Sequence, residues 1–348
     1  MLELRAEATR GGIPESVHRI SVAVVDSAGR LVARSGDPGL RTFWRSAAKP
    51  FQALPVLADG AAERFALTDA EVALACASHS SEPAHVALAE EMLRKVGRTE
   101  ADLACGPHVP LSPVMAATVA REGIHMSPAW SNCSGKHAAM LAISLHHGWP
   151  TQGYERLEHP LQQRILAEVS RWSGEPVESI GLGVDGCTAV SFALPLAAMA
   201  QAYARFGTTD DPAMVRIRSA MMAHPWLVAG TGRSCTDLMT ALPGRLAVKL
   251  GADGIYSAVL LRSGLGMALK VEDGDMRASP AALVAILRDL AQRFEPDLAG
   301  ALETPAVERH ARLAIHSTRG QVTGYLQVVG GLQYETPVGV RTVMAEAR

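Results

Sequence analysis

The chain is poor in lysine, in cysteine and in long apolar runs, and each shortage narrows what it can be. Of its 33 basic residues only Lys49, Lys95, Lys136, Lys249 and Lys270 are lysines. Positive charge is therefore carried almost wholly by arginine, whose guanidinium stays protonated and cannot serve as a base. A lysine that persists against this bias is a candidate for use of its amine. The cysteines, Cys76, Cys105, Cys133, Cys187 and Cys235, are odd in number and scattered over 348 residues. That pattern fits a reducing compartment better than a disulfide framework. No apolar run approaches the ~20 residues that cross a bilayer, and the opening MLELRAEATRGG mixes charges from its start. Neither membrane insertion nor secretion is indicated, so a cytoplasmic location is expected. A formal net charge of -2, with no block of like charges, offers no electrostatic reason for a nucleic-acid partner. A small molecule is the expected ligand.

What is present suits a folded chain with a sizeable core: 48% of residues are hydrophobic and 20% charged. HRISVAVVD and LVARSG read as a hairpin around a turn containing Gly29. Helical spacing follows over 46–60, 69–78 and 82–97, with Asp69 as a cap and Gly97 as a stop. Segment 101–131, with Pro107, Pro110, Pro113 and Pro128, reads as irregular. Helices are expected at about 134–147, 154–172, 194–206 and 212–223, with a short strand and turn in SIGLGVDGC. GRLAVKLG, GIYSAVLLRSG and LGMALKVEDG then read as strands, followed by the helix SPAALVAILRDLAQRF and a last strand, VTGYLQVVG. Strands, many helices, then strands again predict an α+β fold: one antiparallel sheet of terminal strands beside a helical lobe. The expected division is one catalytic unit over 1–348, its sheet portion at about 1–50 plus 240–348 and its helical portion at about 51–239. A site is expected in the cleft between them.

RSAAKP puts Ser46 and Lys49 three apart at a helix start, where Pro50 is tolerated. Residues at i and i+3 share a face. A lysine whose pKa is depressed by burial or a neighbouring cation can take a serine proton. This S-x-x-K arrangement is used by β-lactamases and penicillin-binding proteins. Alone it reads as a helix cap beside a solvated lysine. Two further elements follow in order, SHS at 78–80 closing a helix and KLG at 249–251 ending a β-rich run.

A second constellation lies in NCSGKHAAM. Its GK lacks the upstream glycine of a phosphate loop, since Trp130 stands there, and His137 replaces the hydroxyl residue. Cys133 can share a metal with His137 or with Lys136, each one helical turn on, and with the distant Cys187 of VDGC. Ordinary ligand statistics prefer His137, because a lysine must be neutral to coordinate. The alternative is that Cys133 and Cys187 are buried core thiols. Asp185 reads as a turn former or as a carboxylate facing the site. Arg45 reads as a carboxylate-binding or a surface arginine. His79 and His85 read as ordinary surface or boundary histidines, and Cys76, Cys105 and Cys235 as structural.

Taken together, FWRSAAKPFQALP, ASHSSEPAH, WSNCSGKHAAML, VDGC, VKLGADGIY and LKVEDGDMRA resemble the L-asparaginase II family, the class 3 asparaginases of the Rhizobium etli type. The resemblance runs over about 15–345. It implies a serine β-lactamase-like fold, hydrolysis of L-asparagine to L-aspartate and ammonia, and a homodimer. It implies two Ser-Lys tandems, Ser46 with Lys49 and Ser78 with Lys249, and marks Arg45, His137 and Asp185 as site residues. It also implies a Zn2+ site of Cys133, Lys136 and Cys187, which moves the nitrogen ligand from His137 to Lys136. The segment KLGADG departs from the family's usual KTGAEG, leaving Lys270 as a competitor of Lys249. Zinc is expected to position substrate. The alternatives are a penicillin-binding-protein or β-lactamase-like serine hydrolase, and a non-catalytic zinc-binding protein.

Overall fold

A computed structural model of the chain describes residues 3–335. The part of the expected sheet portion at 336–348 lies outside the described residues. The strands are β1 (Arg5–Arg10), β2 (Ile13–Val25), β3 (Leu31–Ser35), β4 (Arg41–Phe43), β5 (Gly181–Val184), β6 (Val190–Pro195), β7 (Leu246–Gly251), β8 (Ile255–Leu260), β9 (Leu265–Val271), β10 (Arg312–His316), β11 (Val322–Val329) and β12 (Gln333–Tyr334). Nine of them form one antiparallel sheet in the order β10-β11-β1-β2-β9-β8-β7, with β3 joining β2 to β12. The α+β class with a sheet of terminal strands is as expected.

The sheet is built from apolar runs bounded by glycine turns. Every residue of β7 and β8 is buried, so both faces of these strands are covered. The helix Leu196–Thr208 packs on β8 and β9 at close range. A Cβ at Gly266 would lie 2.2 Å from the carbonyl oxygen of Ala200, and one at Gly207 2.3 Å from Val259. The helix Ala278–Phe294 also packs on the sheet. Lys249 is thereby carried into the interior on β7, paired with Ser257 across to β8.

Several expectations are corrected. A second sheet, β4-β6-β5, adds two unexpected strands, β4 and β6, to the short strand expected in SIGLGVDGC, β5; Phe192 and Leu194 of β6 turn into the core. Segment 101–131 is not wholly irregular: Ser112 caps a helix, Pro113–Glu122, that ends at Gly123. Only Val119 of that helix is buried, so its apolar face is too weak to signal itself. Thr68, not Asp69, caps the helix Asp69–Ala75, through a capping box with Glu71. The helix expected from 154 begins at Pro160, capped by His159, and Tyr154 is buried instead.

Candidate active site

Ser46 lies in a short 3-10 turn, Arg45–Ala48, that leads into the helix Lys49–Ala58. Trp44, wholly buried, anchors the turn by donating from Nε1 to Ser257 Oγ at 3.0 Å. Arg45 adopts a left-handed backbone, φ 53°, a costly conformation for a side chain of this size. Ser46 is partly exposed, and its Oγ makes no hydrogen bond among the described residues.

Lys49 does not turn back to Ser46. Its Nζ donates to Ser78 Oγ at 3.1 Å and to the carbonyl oxygen of Ala77. Lys249 Nζ reaches the same Ser78 Oγ at 2.8 Å and the carbonyl of Leu250 at 2.9 Å. Ser78 is thus held between two amines. Exposures of 2% for Ser78, 1% for Lys49 and 0% for Lys249 seal the trio from water. Burial, reinforced by the nearby Lys49 charge, lowers the Lys249 pKa to about 7, because an ammonium loses hydration there without gaining a carboxylate. Lys270 is not beside Ser78: its Nζ donates to the carbonyls of Asp253 at 2.5 Å and Val271 at 2.7 Å.

The second constellation also converges. Cys133 is the residue before the helix Ser134–His147, and the turn after β5 brings Cys187 to it. Lys136 Nζ lies 3.0 Å from Cys187 Sγ. Contact with Cys133 lowers the Cys187 pKa against burial, and Lys136 lowers it further. Cys133 Sγ donates to Asn132 Oδ1 at 2.8 Å, and contact with Cys187, with burial, drives the Cys133 pKa up. These directions favour the thiolate at Cys187 and the thiol at Cys133. Burial opposes the charge on Lys136, but the Cys187 thiolate outweighs it and holds the amine protonated. His137 Nδ1 meets Tyr154 Oη at 2.8 Å, and the same hydroxyl accepts from the Ala104 N–H at 2.8 Å. Its Nε2 is buried without a hydrogen-bond partner, and burial lowers its pKa.

Two sulfurs and an amine in contact are a soft donor set that fits zinc. Among the described residues no three His, Cys, Asp or Glu side chains form a metal cluster.

His79 and His85, expected near the surface, are fully buried. His79 Nδ1 accepts the Ser81 N–H at 3.1 Å, so its proton resides on Nε2, which donates to Ser134 Oγ at 2.9 Å. The segment bearing Ser78 is thereby tied to the helix bearing Lys136. Gly135 serves the same approach, since a Cβ there would lie 2.4 Å from the carbonyl oxygen of Leu74.

Arg45 and Asp185 complete the assembly. Arg45 Nε donates to Asp185 Oδ1 at 2.9 Å, and its Nη1 pairs with Asp253. Burial works against the guanidinium charge, but Asp185 and then Asp253 raise its pKa overall. Asp253 was not evident in the sequence, where ADG marks only a turn. Open cavities lie away from Ser46 and Ser78. One of about 690 Å3 is bordered by Arg5, Arg19 and Glu272. Another of about 400 Å3, bordered by Leu182, Val184 and Thr188, opens beside the turn that carries Asp185 and Cys187.

Comparison with known families places the chain among asparaginase-type amidohydrolases. The matching family model, described as L-asparaginase II, spans residues 6–328, and the chain belongs to that family. No curated protein matches it significantly. Among the solved structures that match is a β-lactamase from Mycobacterium bovis, at 14% identity over 83% of this chain and 95% of that one, with a TM-score of 0.29. An overlap that loose carries no argument, and the α+β architecture rests on the coordinates described above. Among the described residues, no helix is long and apolar enough to cross a membrane.

Proposed function

We propose that the protein hydrolyses L-asparagine to L-aspartate and ammonia, with Ser46 as nucleophile and Lys49, Ser78 and Lys249 as its proton path. The observation that carries this reading is the sharing of Ser78 Oγ by two buried amines, one of them on the helix that follows Ser46, a partly exposed serine whose hydroxyl makes no hydrogen bond among the described residues. Ser78 is too enclosed to meet a substrate carbon, whereas Ser46 sits at the edge. A neutral Lys249 accepts the Ser78 hydroxyl proton, Ser78 takes one from Lys49, and Lys49, its amine then turning from Ser78 toward Ser46, takes one from Ser46 as the Ser46 oxygen attacks the side-chain amide carbon. Reversal of that path protonates the nitrogen, the C–N bond breaks, and ammonia leaves an aspartyl ester on Ser46. Water then adds to the ester carbonyl, gives its proton to the same path, and releases aspartate as Ser46 recovers its hydrogen.

Arg45 supplies a cation for the substrate carboxylate and Asp185 a carboxylate for its ammonium. Cys133, Lys136 and Cys187 would hold zinc, with loss of the protons on Cys133 and Lys136. When bound, zinc would add a fixed positive charge that helps position substrate. Ammonia release from L-Asn by the wild type and by Ser46→Ala tests the assignment. Loss on the order of 10^4-fold or more is expected from removal of the nucleophile. Full activity in Ser46→Ala would transfer that role to Ser78 or refute the mechanism.

A further inference from the structure

We propose that Asp253 is a displaceable counter-ion, occupying the place that the substrate's α-carboxylate takes beside Arg45. The inference rests on the reading of the substrate as a free amino-acid amide. It starts from an asymmetry between the two carboxylates on one guanidinium. The Asp185 side chain is 13% exposed and that of Asp253 68% exposed. Asp185 is fixed by its surroundings: its Oδ1 also accepts the Gly186 N–H at 2.7 Å, and its own N–H donates to the Ala189 carbonyl at 2.8 Å. Among the described residues the Asp253 carboxylate has no hydrogen bond except that from Arg45. An exposed pair of this kind is worth little and exchanges readily.

The position is also where a ligand must enter. Ser78, Lys49 and Lys249 are sealed, so exposure begins at Ser46 and Arg45 and increases to Asp253. Lys270 adds a second cation there. Its amine is tied to the backbone carbonyl of Asp253 itself, and it feels the charges of both Asp253 and Arg45. A substrate carboxylate exchanged for Asp253 would replace one carboxylate on Arg45 by another, leaving the guanidinium paired throughout. Asp253 lies in the turn between β7 and β8 with φ 57°, a conformation that aspartate and asparagine both tolerate. The side chain can leave without rebuilding the strand that holds Lys249.

The test is calorimetric binding to a Ser46→Ala protein, which requires no turnover, with L-asparagine, L-aspartate and L-aspartic diamide, the last lacking the α-carboxylate. Adding Asp253→Asn keeps the side-chain size and backbone preference but removes the charge. The dissociation constants of the two carboxylate ligands should fall about two- to five-fold, as expected for loss of an exposed competing pair. That of the diamide should stay the same. Weaker binding of the carboxylate ligands would make Asp253 a support of Arg45. An equal change for the diamide, or no binding by any ligand, would likewise overturn the proposal. Failure of the amidohydrolase reading is seen separately, as absence of ammonia release by the wild type.

Discussion

Lys249 Nζ lies 2.8 Å from Ser78 Oγ although 171 residues separate them. The amine comes from a strand buried on both faces and the hydroxyl from the irregular segment after the helix Asp69–Ala75. Burial on that strand and the nearby Lys49 charge, rather than the local Ser46–Lys49 spacing, lower the Lys249 pKa to about 7.

Lys249 accepts a proton only when deprotonated, and burial followed by the Lys49 charge lowers its pKa to about 7. Hydrolysis, measured as kcat/KM for L-Asn, should therefore rise as pH increases through about 7. Lys249→Met should remove this limb and lower kcat about 10^2- to 10^4-fold, the usual range for a general acid–base group. Stability should change in the same sense. The folded pKa lies below the ordinary 10.5, so the unfolded chain binds the extra proton between those values, and wild-type stability rises with pH across that window. Lys249→Met removes the buried charge and should melt at a higher temperature than wild type at pH 6.

Gly135 of NCSGKHAAM should not accept a side chain. An added Cβ would meet the Leu74 carbonyl oxygen at 2.4 Å, a backbone atom that cannot rotate away. Gly135→Ala should lose about 1–3 kcal/mol of stability in urea unfolding, as overpacked cores do. It should also lower activity, because the helix carrying Lys136 would move away from the Ser78 segment. Unchanged stability and turnover would show that the two helices are not in this contact.

Metal content should depend on the sulfur–amine set and not on His137 alone. Cys187→Ser and Lys136→Met should each reduce bound zinc, measured by elemental analysis after dialysis, by about 10-fold or more. His137→Gln should retain most of it. Removing zinc from wild type with a chelator should raise KM more than it lowers kcat if the metal positions substrate. A collapse of kcat at constant KM would assign it a part in the chemistry.

Much of the architecture was legible because strong patterns are local. The apolar, turn-bounded strands β2, β7, β8 and β9 and the periodic helices at 134–147 and 212–223 appear where expected. The helix at 113–122 and strands β4 and β6 were missed, while β5 lies in the short strand expected in SIGLGVDGC: the helix buries too little to show a face, and β4 and β6 form by pairing between distant segments. His79 gave no signal of burial, because a neutral histidine satisfied at both nitrogens looks in sequence like any polar residue.

The sequence by itself determined the inventory: few lysines, a serine three before one of them, two cysteines near glycine turns, and a resemblance covering nearly the whole chain. It also excluded the phosphate loop, through Trp130 and His137. Only the tertiary structure decided the partnerships. Lys49 joined Ser78 instead of Ser46, Lys249 displaced Lys270, Lys136 met Cys187, and Asp253 closed on Arg45. The reason is physical. Periodicity specifies which face of an element is buried, but the pKa of an amine and the partner of a hydroxyl depend on what other elements bring within about 3 Å.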